Sequence, residues 1–281
     1  MGSEMCIRDR NIMKQIKLFD PYTDKLEKIA INKVLKSNFW ASGAGNGNVK
    51  KFEEKFSKYV NSKSSVAVNS GTSALNLALS MYDIKNKEVI LPSLSFVATA
   101  NAVVENGGIP KFVDINEKTL CIEPEKILDS ITNKTKIILP VHFGGFSSDL
   151  AEISKICKKN KIHLIEDAEH STGATYKNKK IGRHGDLVCF SFHPVKNLAM
   201  PTGGLIAINS KNYKKIEKTL KEKRWCGITN RKGANYDVKN IGWNYYMNEF
   251  SAAIGLEQLK KLNNTNNRRK EIAKTYSQKI L

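Results

Sequence analysis

Apolar positions along this chain follow two alternating rhythms. Short β-branched and apolar runs at 65–69, 88–91, 111–114, 136–142, 163–166, 186–192 and 205–208 read as strands. Between them, stretches at about 72–82, 95–106, 123–131, 148–160 and 212–224 carry helical spacing, and a last helix is expected from about 248 to 281. Strands that alternate with helices of this length predict βαβ units and a mainly parallel α/β sheet flanked by helices. No internal repeat or low-complexity segment interrupts the pattern. Gly-Ala-Gly-Asn-Gly at 43–47 reads as a flexible loop between helical stretches. It is not a P-loop, because no Gly-Lys-Ser/Thr follows.

Length allows one large α/β domain and part of a second: 281 residues, 41% of them hydrophobic, bury an ample core. Residues 1–10, MGSEMCIRDR, have no periodicity and are expected to be a non-native leader. The large domain is then expected over 11–250, with 251–281 beginning a C-terminal domain that is largely missing, since the last helix stops in mid-pattern.

Charge and cysteines narrow the function. There are 46 Lys and Arg against 27 Asp and Glu, a net charge of +19. The lysines are scattered along helices, and no Arg-rich stripe with interleaved aromatics accompanies them. The excess therefore suits an anionic small substrate, such as one carrying a diphosphate, better than nucleic acid, which is not expected as a partner. A basic binding protein without catalysis stays open as an alternative. Five cysteines in no paired spacing argue for a reducing compartment, the cytoplasm, and against a disulfide framework or a zinc site. No run is long and apolar enough to cross a membrane, and no metal site is expected.

Three polar groups fall at strand ends, where an α/β sheet places its ligands. Asn69-Ser70-Gly71-Thr72-Ser73 precedes an apolar helix; its glycine, free N–H groups and hydroxyls can hold an anion, or merely cap the helix. Asp167, in Glu166-Asp167-Ala168-Glu169-His170, can pair with a cationic ring nitrogen, or sit as a surface acid. Lys196 follows the break of the 186–192 run at Pro194, and an amine there can form a Schiff base with a carbonyl. Ser191 is a second candidate phosphate donor. Phe96 is a candidate to stack on a ring, its alternative being a core aromatic. Anion cradle, carboxylate and lysine together match the needs of pyridoxal 5′-phosphate.

With these residues in view, the chain resembles the DegT/StrS-type pyridoxal-phosphate sugar aminotransferases of fold type I. The likeness runs through Trp40-Ala41-Ser42-Gly43, Ser70-Gly71-Thr72-Ser73-Ala74-Leu75, Leu91-Pro92-Ser93 with Phe96, Glu166-Asp167-Ala168, Ser191-Phe192-His193 with Lys196, and Gly242-Trp243-Asn244-Tyr245 with Met247-Asn248-Glu249. The resemblance implies an aspartate-aminotransferase-like fold. It implies that Lys196 carries the cofactor as an imine and moves the proton between cofactor and substrate carbons. Asp167 would hold the ring nitrogen, and Gly71, Thr72, Ser73 and Ser191 the phosphate. His170 stands where many members have a glutamine near the cofactor hydroxyl. Asn244 resembles the residue that reaches the neighbouring subunit's phosphate, implying a homodimer with shared active sites. The implied reaction moves an amino group from an amino acid, glutamate foremost, to a nucleotide-linked keto-sugar.

Several positions depart from the family pattern. Met200-Pro201-Thr202-Gly203-Gly204 replaces Gly-Glu-Gly-Gly, Tyr246 replaces an arginine, and Cys226 replaces a histidine before Gly227. These bear on the substrate, so a keto-cyclitol acceptor stays open. A pyridoxamine-dependent sugar dehydratase is a second enzymatic alternative, although such relatives replace the lysine with histidine.

Overall fold

The computed structural model describes Lys17 and residues 19–280; the expected leader at 1–10 lies outside them. Seven strands form one sheet: β1 (Ser64–Val68), β2 (Glu88–Pro92), β3 (Ile109–Val113), β4 (Thr135–Ile138), β5 (His163–Asp167), β8 (Leu187–Ser191) and β9 (Gly204–Ile208). Their order across the sheet is β1-β9-β8-β5-β4-β2-β3. β3, β2, β4, β5 and β8 run parallel to one another, while β9 pairs antiparallel with both β8 and β1. A mainly parallel sheet is the expected architecture, and its one reversed strand has a local consequence. The chain leaves the sheet at Ser191 and re-enters opposite it at Gly204, so both ends of the 192–203 segment stand on one edge.

Side chains of the central strands alternate between two buried faces. Val66, Val68, Leu187, Cys189, Ile206 and Ile208 meet α3 (Gly71–Leu79) on one side. Ala67, Val188, Phe190, Leu205 and Ala207 meet α2 (Asn48–Val60) and α8 (Glu249–Ile280) on the other. Phe192, just past β8, packs edge-to-face on Phe52 at 5.3 Å and lies 5.3 Å from Phe56. Each such pair adds roughly 0.5–1.5 kcal/mol to the area it buries, and here it fixes the base of the Lys196 segment.

α1 (Lys25–Ser37), α4 (Val97–Glu105), α5 (Pro124–Ser130), α6 (Leu150–Asn160) and α7 (Tyr213–Arg224) complete the main helices. The long run expected at 136–142 is strand only to Ile138, because Pro140 has no N–H to give the ladder. Its carbonyl instead accepts the Asp167 N–H at 2.9 Å. Two hairpins were not expected: β6 (Thr175–Tyr176) with β7 (Lys179–Lys180), and β10 (Ile228–Lys232) with β11 (Asn235–Val238). They are short and mostly exposed, so burial imposes no apolar alternation on them. α8 runs unbroken through 250, and its first half, to Leu262, is buried against α1 and α2.

Arg224, at the end of α7, is fully buried. Its Nη1 donates to Glu53 Oε1 at 2.6 Å and to the Ala67 carbonyl at 2.8 Å, and its Nη2 donates to Ala44 O at 3.1 Å. Glu53 Oε1 also accepts the Ala67 N–H at 2.9 Å. The network joins α7, α2, β1 and the 43–47 loop. Arg224→Ala removes the buried cation from Glu53 Oε1, leaving the carboxylate with the Ala67 N–H and with Lys221 Nζ at 3.6 Å from Oε2, and should cost about 3–5 kcal/mol, read from the midpoint of urea unfolding. A midpoint close to that of the unsubstituted chain would remove this network from the account of the fold.

Candidate active site

A cavity of about 570 Å³ opens at the carboxyl ends of β1, β5 and β8. Gly71, Thr72, Phe96, His170, Ser191 and Lys196 line it, together with Ser70, Ser95, Phe143, Glu169, His193 and Thr202. Asp167 lies directly behind, 3% exposed at the end of β5. Ser73 and Asn244 do not reach the cavity wall.

Lys196 is placed by a turn. Its N–H donates to the His193 carbonyl at 2.8 Å, and Pro194 in the second position supplies the backbone angle such a turn needs. The loop's base is closed by Phe192 N–H to Gly203 O at 2.9 Å and Met200 N–H to Phe192 O at 2.8 Å. The lysine side chain is largely covered, and its Nζ lies 3.6 Å from Glu169 Oε2.

Opposite stands the N-terminus of α3. Ser70 caps it, its Oγ accepting the Ser73 N–H at 3.1 Å. The Ser73 hydroxyl donates to Asn69 Oδ1 at 2.6 Å, so it serves the turn while Thr72 faces the cavity. The Gly71 and Thr72 N–H groups have no hydrogen-bond partner among the described residues. Unpaired amides with a helix dipole behind them make an anion site. Glycine is required at 71: a Cβ there would sit 2.7 Å from the Ser191 Cβ and 2.6 Å from Glu169 Oε1. Gly204 is more confined still, since a Cβ would overlap the Ser70 carbonyl.

Asp167 Oδ2 accepts from Thr99 Oγ1 at 2.9 Å, and Oδ1 accepts the Glu169 N–H at 3.2 Å. Thr99 is itself 2.5 Å from the Ser95 hydroxyl. Burial, then the negative charge of Glu169, push the Asp167 carboxyl up to about 7, against the pull of those hydrogen bonds and of Lys196. His170 accepts the Gly144 N–H on Nδ1 at 3.3 Å. Burial and the Lys196 charge hold the imidazole below its usual range. It is therefore neutral near pH 7 with its proton on Nε2, a hydrogen-bond donor.

Phe96 is 69% exposed at the N-terminus of α4, so it is a wall of the cavity and not a core aromatic. Asn244 lies apart: its carbonyl accepts from Asn69 Nδ2 at 3.2 Å, beside the stacked rings of Trp243 and Tyr245. Sequence reasoning missed Thr99, Ser95 and Glu169. Ser95 and Thr99 have the spacing of one helical face, yet nothing local ties them to an aspartate 68 residues away. Glu169 lies two residues past Asp167, and nothing local shows that its carboxylate turns towards Lys196.

The sequence profile of the DegT/DnrJ/EryC1/StrS aminotransferase family matches residues 21–281. The chain is 37% identical over 259 residues to the UDP-4-amino-4,6-dideoxy-N-acetyl-beta-L-altrosamine transaminase of Campylobacter jejuni, covering 92% of this chain and 67% of that protein. It is 36% identical over 262 residues to the spore coat polysaccharide biosynthesis protein SpsC of Bacillus subtilis, covering 91% and 67%. Among solved structures, Helicobacter pylori PseC, an aminotransferase involved in pseudoaminic acid biosynthesis, superposes with a TM-score of 0.89 at 31% identity over 94% of this chain and 70% of that one. The chain spans 61% to 67% of the length of the curated relatives it matches. A profile that runs from the first helix to the last, on a fold and cavity of this kind, settles the kinship: the chain belongs to the DegT/DnrJ/EryC1/StrS aminotransferase family.

Proposed function

We propose that this chain is the cofactor-binding part of a pyridoxal 5′-phosphate-dependent aminotransferase. Its donor would be an amino acid, glutamate foremost, and its acceptor a keto-sugar carried on a nucleotide. The observation that carries the reading is the convergence of Lys196, the unpaired α3 amides and buried Asp167 on one cavity.

The residues present fit that cofactor. The Gly71 and Thr72 amides, unpaired at the start of α3, would take the phosphate, with the Thr72 hydroxyl and Ser191 on the same wall. Asp167, buried behind the cavity, would hold the ring nitrogen while Thr99 fixes its carboxyl in place. His170, neutral with Nε2–H, would donate to the ring hydroxyl. Phe96 would cover the ring face. When bound, the cofactor supplies an aldehyde and a ring that accepts electron density. Lys196 supplies the amine for that aldehyde, and once released its Nζ takes the proton from the donor's α-carbon. Phe96, Phe143 and Val195 give the cavity an apolar wall beside Lys196.

A homodimer belongs to the same reading. Asn244 sits outside the cavity of its own chain, and Ile241, Tyr236 and Val238 beside it are exposed, an edge a second copy would cover. The location would be cytoplasmic; no described helix is long and apolar enough to cross a membrane.

Two measurements test this reading. Addition of pyridoxal phosphate should give a visible absorbance band that borohydride fixes covalently at position 196. Lys196→Ala should lose the band and lower turnover by on the order of 10³-fold or more. A band of full intensity in that variant would end the proposal. The second concerns Asp167 without cofactor. Unfolded, its carboxyl ionises near 3.8, and folded near 7. Between those values the folded chain holds a proton that the unfolded chain has released. The group's contribution is thus fully present below 3.8 and lost as pH rises to about 7. The stability difference between the unsubstituted chain and Asp167→Asn should fall across that window in thermal unfolding, and bound cofactor should remove the slope. A flat difference would mean that Asp167 is ionised throughout.

A further inference from the structure

Glu169 has no assigned role, yet its carboxylate lies in the middle of the cavity. Its side chain is about as covered as that of Lys196, 14% against 12% exposed. Oε2 is 3.6 Å from Lys196 Nζ, and Oε1 faces Gly71 at the start of α3. Its carboxylate accepts no hydrogen bond among the described residues, so Lys196 is its partner. A carboxylate this covered with a single partner is costly to keep unless the positive charge opposite is maintained.

Taking the cofactor assignment above as given, we propose that Glu169 is the counter-ion of Lys196, holding the amine and then the positively charged imine nitrogen that the amine becomes. In forming C=N, the amine nitrogen gives up two protons, which leave with the carbonyl oxygen as water. The nitrogen can then carry one proton and a positive charge. That protonated form is the reactive one, because its carbon is the more electrophilic towards an incoming amine. A carboxylate within about 4 Å favours the charged form by roughly 1–3 pH units. An anion on the Gly71 and Thr72 amides would repel Oε1, the oxygen on the Gly71 side, and leave Lys196 as the favoured neighbour.

Other charges face the pair. Asp167 lies behind it and carries the same sign as Glu169 when ionised. His170 and His193 line the cavity, and His170 is neutral near pH 7. On the outer side of Lys196, a smaller pocket is lined by Lys17, Asp20 and Arg269, whose net charge opposes a cation at Nζ. Among these, Glu169 is the one carboxylate in ion-pair contact with Nζ among the described residues.

The test is a pH titration of the visible band in the cofactor-loaded protein for the unsubstituted chain, Glu169→Gln and Glu169→Asp. Thermal unfolding serves as the check on folding. The glutamine variant keeps the shape and removes the charge, so its midpoint should fall by about 1–2 pH units. The aspartate variant keeps the charge one methylene further away and should lie much nearer the unsubstituted midpoint. A structural role would move both variants alike. Equal midpoints in the unsubstituted chain and Glu169→Gln, with the band present in both, overturn the counter-ion while leaving the cofactor reading intact. Absence of the band from the unsubstituted chain overturns both.

Discussion

The site depends on a close approach of two pieces of backbone. The turn before α3 meets the first residue of β9 so tightly that Gly204 has no room for a Cβ beside the Ser70 carbonyl. One residue on, Gly71 comes against Ser191, where a Cβ would sit 2.7 Å from the Ser191 Cβ. This contact joins the α3 amides to the Lys196 loop, and neither the phosphate cradle nor the amine would face a common cavity without it. Glycine is used here for what it lacks, a side chain, since neither residue has a positive φ.

Around that contact the charges are few, and Asp167 among them is buried. Asp167 is held by Thr99 and by the Glu169 amide, Lys196 by its turn and by Glu169, and His170 by the Gly144 amide. Each polar group thus has its orientation set by a neighbour. The excess of positive charge over the chain lies elsewhere, much of it on exposed helices such as α7. The interior charges close to the site balance locally, which is what a low dielectric demands.

Much of this was legible in the sequence. The buried strands and their intervening helices follow from apolar runs that burial on two faces enforces. Lys196, Gly71, Thr72, Asp167 and Ser191 follow from the rule that ligands sit at strand ends. The missing part has two physical sources. Exposed hairpins such as β10–β11 carry no burial pattern, so periodicity is silent on them. Partnerships across long separations, such as Thr99 with Asp167 and Arg224 with Glu53, exist only once the sheet is assembled. Ser73 is a local ambiguity besides: its hydroxyl suits an anion as well as it suits Asn69, and only the folded turn decides between them.

The reversed direction of β9 reaches into how the molecule assembles. Because β8 and β9 pair as neighbours in sequence, the segment bearing the amine is closed by contacts between Leu187 and Ile208, a short span of chain. Asp167 and the α3 turn come from elements earlier in the polypeptide and close larger loops onto that segment at greater entropic cost. The nucleophile is therefore the part of the centre whose position is specified most locally, and the groups that cradle its ligand are brought to it.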